Sequence, residues 1–332
     1  MHPAFVVAGR FYREYILPPL GEPRLDSPGG PLLYTAGGMA VWERNIGLLA
    51  RVSEDLPRQW LKRIEERGLD VRGIRILPEV LDMRYFAAYS DLDHPSQTSP
   101  VAHFARRQMT FPKALLGYQA PDDPEPRQPD ALTPLITDIP AEYLDARAVH
   151  ICPFDLTTQS QLAAAFRRGS VTTISVDPGP VHRSALLVKR LRLLLQGITI
   201  FLPSESELRA LFWGETHDLW EMAEELGKYG CEVVVVKRGS QGQLVYDAGG
   251  KYRWEIPAYD ARRADPTGTG DAFSGGFLAG YQRNFDPLEA ALCGSVSASL
   301  KIEGSGPFYA ADAMSGLAEA RYLALKDRVR QL

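Results

Sequence analysis

Short continuous apolar runs, most of them closed by glycine, proline or aspartate, alternate along this chain with longer stretches of helical periodicity. Phe5-Val6-Val7-Ala8 stops at Gly9 and predicts a buried strand, as does Ile46 to Val52. Ala148-Val149-His150-Ile151, Thr173-Ile174-Ser175-Val176 and Ile198 to Leu202 predict further strands. Glu232 to Lys237, with four consecutive valines, is the strongest strand signal. Between them, Arg58 to Arg67 is amphipathic at helical spacing and is stopped by Gly68. Strands apolar on both faces and separated by helices imply a parallel sheet covered on both sides.

The stretch from Asp82 to Gln108 departs from this rhythm. Met83 to Tyr89 is aromatic-rich and extended, with His103-Phe104-Ala105-Arg106 as its expected partner, which predicts a small sheet apart from the main one. Residues 121–130, rich in proline and acid, predict an exposed loop. Residues 311–330, with Leu317, Arg321, Leu325 and Arg328, predict a closing helix.

A length of 332 residues fits one large α/β domain or two small ones, with a full core and no need of disulfides or metals. The net charge of −4 lacks the basic field of a nucleic-acid binder. Cys152, Cys231 and Cys293 are far apart and odd in number, and no CxxC pair occurs. That pattern suggests neither a zinc ribbon nor a disulfide framework and fits a reducing compartment. The N-terminus does not read as a signal peptide, and no run approaches the ~20 apolar residues of a membrane helix. The expectation is a cytoplasmic protein without a membrane or nucleic-acid partner.

The chemistry concentrates in Asp265-Pro266-Thr267-Gly268-Thr269-Gly270-Asp271-Ala272-Phe273, a tight turn running into a helix through Phe277, Leu278 and Tyr281. A turn at a helix N-terminus offers free N–H groups and the positive end of the helix dipole, a ready anion site. Gly268 and Gly270 allow close backbone approach to phosphate oxygens. Asp271 sits at the start of the helix, where it is expected to be held ionised and to act as a modest base. Gly275, Gly276 and Gly280 each cost about 0.8–1 kcal/mol relative to alanine in a helix, so they imply close approach of a ligand or of neighbouring backbone. The alternative is a plain strand-to-helix turn capped by aspartate. GxxxxGK[ST], GxGxxG and HExxH are all absent.

This segment resembles the signature of the ribokinase-like (PfkB-type) carbohydrate kinases, roughly DTxGAGD followed by a small residue and Phe. Gly29-Gly30, then Gly47 to Asp55 and Gly68-Leu69-Asp70-Val71, are similar to that family's GG, GRVGDD and GVD segments in order and spacing. Pro203-Ser204-Glu205-Ser206-Glu207 resembles its PNxxE motif, and Lys237-Arg238-Gly239-Ser240-Gln241-Gly242 its KxGxxG loop. The likeness spans nearly the whole chain. It implies a single kinase domain over residues 1–332: a doubly wound, mostly parallel α/β sheet with helices on both faces, plus a small β-sheet lid from segments near 10–30 and 82–108. It implies ATP, Mg²⁺ and, in many members, a monovalent cation such as K⁺. Asp271 would be the catalytic base, with Gly268, Thr269 and Gly270 cradling the transferred phosphate. Lys237, Gly239, Gly242, Ser204 and Ser295 would border the nucleotide, and Glu207 would act on Mg²⁺ through water. Asp265 and Thr267 would flank the monovalent cation, closed by Gly304 and Gly306. Lid-to-lid homodimers occur among such kinases.

The departures fall on the substrate side. Glu14 stands where the family often has a sugar-binding aspartate, beside Gly29 and Gly30. Tyr34 replaces an asparagine, Ser204 replaces the PNxxE asparagine, and Ser53 replaces a glycine. Arg84 is placed to face an anionic group of the substrate or to stand as an exposed charge. Phe11, Tyr12, Tyr15, Tyr34, Tyr85 and Phe86 fall in segments expected to line the acceptor pocket, where a flat ring could stack or where they could pack the lid. The expected function is ATP-dependent phosphorylation of a hydroxyl on a sugar or sugar-like small molecule. The alternatives are a nucleoside kinase of the same fold and a catalytically silent binding regulator. An NAD-dependent oxidoreductase is excluded, because Gly9 is followed by Arg10-Phe11-Tyr12 rather than the glycine fingerprint.

Overall fold

The computed structural model describes residues 2–91, 95–120, 129–179 and 185–332. Its strands in chain order are Phe5–Ala8 (β1), Tyr12–Leu17 (β2), Arg24–Gly29 (β3), Ile46–Val52 (β4), Asp70–Ile76 (β5), Arg84–Tyr89 (β6), Pro95–Ser96 (β7), Ala148–Ile151 (β8), Thr173–Val176 (β9), Ile200–Phe201 (β10), Val233–Lys237 (β11), Gln243–Asp247 (β12), Tyr252–Ile256 (β13) and Arg330–Gln331 (β14). The α-helices are Pro31–Met39 (α1), Arg58–Glu66 (α2), Pro100–Arg106 (α3), Leu156–Arg167 (α4), Ala185–Leu195 (α5), Glu205–Leu211 (α6), Leu219–Lys228 (α7), Thr269–Asn284 (α8), Pro287–Lys301 (α9) and Leu317–Lys326 (α10).

The large sheet runs β14-β13-β12-β11-β10-β9-β8-β1-β4-β5. It is parallel from β11 to β5, and antiparallel strands β12, β13 and β14 finish one edge. Side chains alternate across a strand, and β1 shows where they go. Phe5 and Val7 enter a core with Leu32 and Leu33 of α1, Phe277 of α8 and Leu292 of α9. Val6 and Ala8 enter a second core with Leu162 of α4, Leu191 of α5 and Leu226 of α7. Helices thus cover both faces, as the continuous apolar strands imply.

Three helices meet without gaps. A Cβ on Gly275 of α8 would lie 1.9 Å from the Thr35 carbonyl oxygen of α1, and one on Gly38 would lie 2.1 Å from the Ala272 carbonyl oxygen. On the other side of α8, Gly276 and Gly280 meet Ser297 and Cys293 of α9 at 2.4 and 2.8 Å. The glycine-rich stretch of α8 therefore answers to helix packing, and neighbouring backbone is what approaches it.

The small sheet has the order β3-β2-β6-β7. The partners of Met83–Tyr89 differ from the expectation: β6 pairs in parallel with β2 and antiparallel with β7, while His103–Arg106 lies in helix α3. Pro100 starts that helix, and Phe104 packs under the sheet against Phe86. The closing helix is also shorter than expected and ends at Lys326, after which Arg330–Gln331 pairs with β13. The loop expectation for 121–130 falls largely outside the described residues. Asp130 itself holds the Arg10 guanidinium at 2.7 Å.

Candidate active site

Asp265 to Asp271 joins the large sheet to α8. Gly268 has φ +70°, and a Cβ there would strike the Tyr34 ring at 2.1 Å, so conformation and packing both demand glycine. A Cβ on Gly270 would meet only Lys237 Nζ, at 4.0 Å, because this residue faces open space. The N–H of Thr269 is held by the Pro266 carbonyl and that of Ala272 by Gly268. Among the described residues no internal acceptor takes the N–H of Gly270 or Asp271. Thr269 Oγ1 is buried without a hydrogen-bond partner. Orphan donors at a helix N-terminus are what an anion needs.

Asp271 departs from its expected state. Burial, helped by the charges of Asp177, Glu14 and Glu207 and opposed by Lys237, pushes its carboxyl up to about 7. The helix dipole favours the anion, but desolvation and like charge outweigh it. The carboxyl is therefore poised near neutrality, a better match for a base than a fully ionised aspartate.

The sequence reading overlooked Asp177. It follows β9, at the carboxyl end of a parallel strand, where open α/β sheets place their ligands. It pairs with Lys237 Nζ and accepts from Ser274 Oγ at 3.1 Å. Burial alone would pull the Lys237 ammonium down, but Asp177 and Glu207 outweigh it and hold its pKa above the ordinary lysine value. Ser204 caps α6 and exchanges bonds with Glu207: the Ser204 N–H donates to Glu207 Oε2 at 2.7 Å, and the Glu207 N–H to Ser204 Oγ at 3.3 Å. This capping box fixes Glu207 in place, and burial with the charge of Asp177 raises its pKa.

A cleft of about 520 Å³ opens beside the turn, lined by Lys237, Gly239, Gly242, Thr269, Gly270 and Ser295 among others. The expected nucleotide-side residues therefore converge on one cavity, except Ser204, which caps α6 and is joined to Lys237 by a β-bridge. Ser295 is fixed by Gln243 Nε2 at 2.5 Å and donates to the Ala291 carbonyl at 2.8 Å.

On the other side of the turn, Glu14 is almost fully buried. Its Oε1 accepts the Gly30 N–H and its Oε2 the Tyr34 hydroxyl, both at 2.8 Å. Gly29 leaves room for this carboxylate, since a Cβ would lie 1.9 Å from it. Burial raises the Glu14 pKa, against the pull of Arg24. Arg84 does not face this space. In β6 it shares a face with Phe86 and Ala88, whereas Tyr85 lies beside Glu14 across the β2–β6 pairing. Its guanidinium chelates Asp82 at 2.7 and 2.8 Å and donates to the Ala114 and Leu116 carbonyls at 2.8 and 3.0 Å. The aromatic residues divide by the same alternation. Tyr12 and Tyr85 stack at 5.2 Å on the Glu14 face, while Tyr15 and Phe86 join Phe104 and Leu115 on the other. Tyr89, on the Glu14 face, is bonded to Thr267 Oγ1 at 3.1 Å, tying the small sheet to the turn.

Asp265 is buried, and its Oδ1 accepts the Thr267 N–H at 3.0 Å. Beside it lies a second overlooked residue, Lys301, fully buried at the end of α9. Its Nζ donates to the carbonyls of Asp265 at 3.1 Å and Gly304 at 3.0 Å, and lies 3.8 Å from Asp265 Oδ2. Burial pulls its pKa down to about 8, opposed by Asp265, so it keeps its proton at neutral pH. Gly306, expected near this site, adopts φ +105° against Arg24.

A doubly wound sheet, a helix-start turn with unpaired N–H groups and a carboxyl raised beside it are the parts an α/β phosphotransferase needs. Residues 125–313 match the pfkB family carbohydrate kinase model. The chain is 31% identical over 286 residues to the cytidine kinase of Thermococcus kodakarensis, which spans 86% of this chain and 90% of that protein. The chain belongs to the pfkB family and is a kinase. Its fold matches a protein assigned as a ribokinase II from E. coli, solved with ATP and Mg²⁺ (TM-score 0.70, 19% identity, 98% and 99% of the two chains). It also matches a fructokinase double mutant of Vibrio cholerae, solved with fructose, ADP and potassium ion (TM-score 0.69, 16% identity, 96% and 98%). Among the described residues, no helix is long and apolar enough to cross a membrane.

Proposed function

We propose that the chain transfers the γ-phosphoryl group of ATP to a hydroxyl of a sugar-containing acceptor, with Asp271 as the base. The observation that carries this is the Asp271 carboxyl, raised to about 7 beside the unpaired N–H groups of Gly270 and Asp271. ATP lies in the cleft between Lys237, Gly242 and Ser295, with its terminal phosphate over the turn. The acceptor hydroxyl comes from the Glu14 side and gives its proton to Asp271 Oδ as the new O–P bond forms and the bond from the γ-phosphorus to the bridging oxygen breaks, releasing ADP. The Thr269 hydroxyl and the N–H groups of Gly270 and Asp271 hold the phosphoryl oxygens, so that positioning and charge neutralisation do most of the catalysis. The small sheet acts as a lid that keeps water from the phosphoryl group.

Magnesium fits the donor set. Among the described residues no three His, Cys, Asp or Glu side chains form a cage, and Mg²⁺ in such sites is held by one or two carboxylates together with phosphate oxygens. Glu207, through water, and Asp177 are the carboxylates in position. When bound, the ion neutralises charge on the phosphates.

A nucleoside is the favoured acceptor class. The cytidine kinase relative supports it, and so does the stacked Tyr12–Tyr85 pair beside Glu14, an aromatic wall on which a base can lie. Release of ADP from Mg-ATP, measured across nucleosides, free sugars and sugar phosphates, tests both levels. Turnover with nucleosides alone supports the full reading, and turnover with free sugars alone removes the nucleoside. Nucleotide binding without turnover on any acceptor points instead to a binding regulator.

A further inference from the structure

The fold family implies a monovalent cation beside the phosphate-binding turn, and the residues here do not fit one. Two carbonyl oxygens that would face such an ion, those of Asp265 and Gly304, already accept bonds from Lys301 Nζ at 3.1 and 3.0 Å. The Asp265 carboxylate, which would balance the ion's charge, has the same ammonium 3.8 Å from Oδ2; among the described residues that oxygen has no hydrogen-bond partner, so the ammonium meets it as a charge and not as a donor. Both side chains are wholly buried, so no solvent intervenes to screen a second positive charge brought into that space.

We propose that the Lys301 ammonium is a built-in substitute for the monovalent cation, and that this kinase works without K⁺. A lysine at a helix C-terminus commonly turns back to the last carbonyls of its own helix. Lys301 reaches further, across to Asp265, at the head of the turn that carries Gly268, Gly270 and Asp271. Its Nζ lies over the Tyr34 ring, 5.4 Å from the ring centre, and the same ring packs on Gly268. One ammonium therefore braces the turn from Asp265, and through Tyr34 it also supports the Glu14 carboxylate. Lys301 touches no reacting atom in this arrangement; it is a positioning residue. A tethered charge is present at every salt concentration, whereas a free ion binds only in proportion to its concentration.

The test reads thermal melting and turnover at equal ionic strength in chloride salts of K⁺, Na⁺ and tetramethylammonium. Melting needs no acceptor, so it reports on this proposal even if the acceptor assignment fails. The wild-type protein is expected to melt at the same temperature in all three salts and to turn over equally. Lys301→Ala opens the space and is expected to melt lower and to lose on the order of 10–100-fold in turnover. K⁺ or NH₄⁺, but not tetramethylammonium, should restore part of both. Wild-type protein that is stabilised or activated selectively by K⁺ overturns the proposal, and that arm stands even if the variant does not fold. A variant that keeps wild-type melting and turnover in every salt overturns it as well.

Discussion

The two sides of Asp271 are built on different principles. The phosphate side is made of backbone: a glycine turn, two unpaired N–H groups and a helix start, held by helices packed through glycine. The proposed acceptor side is made of side chains: Glu14, Tyr12 and Tyr85 on the separate small sheet, with Tyr34 from α1. A backbone site needs particular residues at particular spacings, because only glycine tolerates its angles and contacts. A side-chain site can be built from many residue combinations. Chemistry is thus written locally and specificity is spread out.

The sharpest way to break this contrast is Asp271→Asn, which should lower kcat by about 10²–10⁴ while nucleotide binding persists. A loss of less than tenfold would move the base elsewhere. Glu14→Gln comes next. It weakens the bonds to Gly30 and Tyr34 and should cost about 10–100-fold in acceptor kcat/KM with the KM for ATP unchanged. If the ATP term moves as much, the two sides are not separable. Gly275→Ala drives a methyl into the Thr35 carbonyl and should destabilise by about 1–3 kcal/mol, seen as a lower melting temperature. Unchanged melting would mean α1 and α8 can part.

The pH dependence comes fourth. The folded pKa of Asp271, about 7, lies above the ordinary aspartate value of 3.8. Its protonated form therefore favours the fold, a contribution complete at or below pH 4 and lost as pH rises through 7. Asp271→Asn should then be more stable to melting than wild type at pH 8, by at most about 4 kcal/mol, with the gap closing toward pH 4. For the active protein, kcat/KM should fall on the acid side near pH 7. Arg84→Ala should do least. It loosens the 112–118 segment by about 1 kcal/mol or less and leaves the acceptor KM within about twofold. A large KM effect would return Arg84 to the acceptor.

Most of the large sheet was legible in the sequence, because strands such as Ile46–Val52 and Thr173–Val176 are continuous apolar runs with clear ends. His103–Arg106 was not, since a short apolar run suits helix and strand equally and Pro100 decides it only in hindsight. Arg84 could have been assigned by parity, as it lies an even step from Phe86 and an odd step from Tyr85. The ionisation of Asp271 had no local signal, because its perturbing charges, Asp177, Glu14 and Glu207, come from distant segments. Lys301 looks like any basic residue ending a helix, and only its burial against Asp265 distinguishes it.

The glycine contacts among α1, α8 and α9 bear on how this enzyme can be re-engineered. Any larger residue at Gly38, Gly275 or Gly276 collides with a neighbouring helix, so that wall offers a designer almost no freedom. The small sheet packs its outer face on Phe104 and Leu115, and its other face is the one proposed to meet the acceptor. A library seeking a new acceptor should therefore be confined to Tyr12, Tyr85 and their neighbours on that face, with the catalytic helix left as it is.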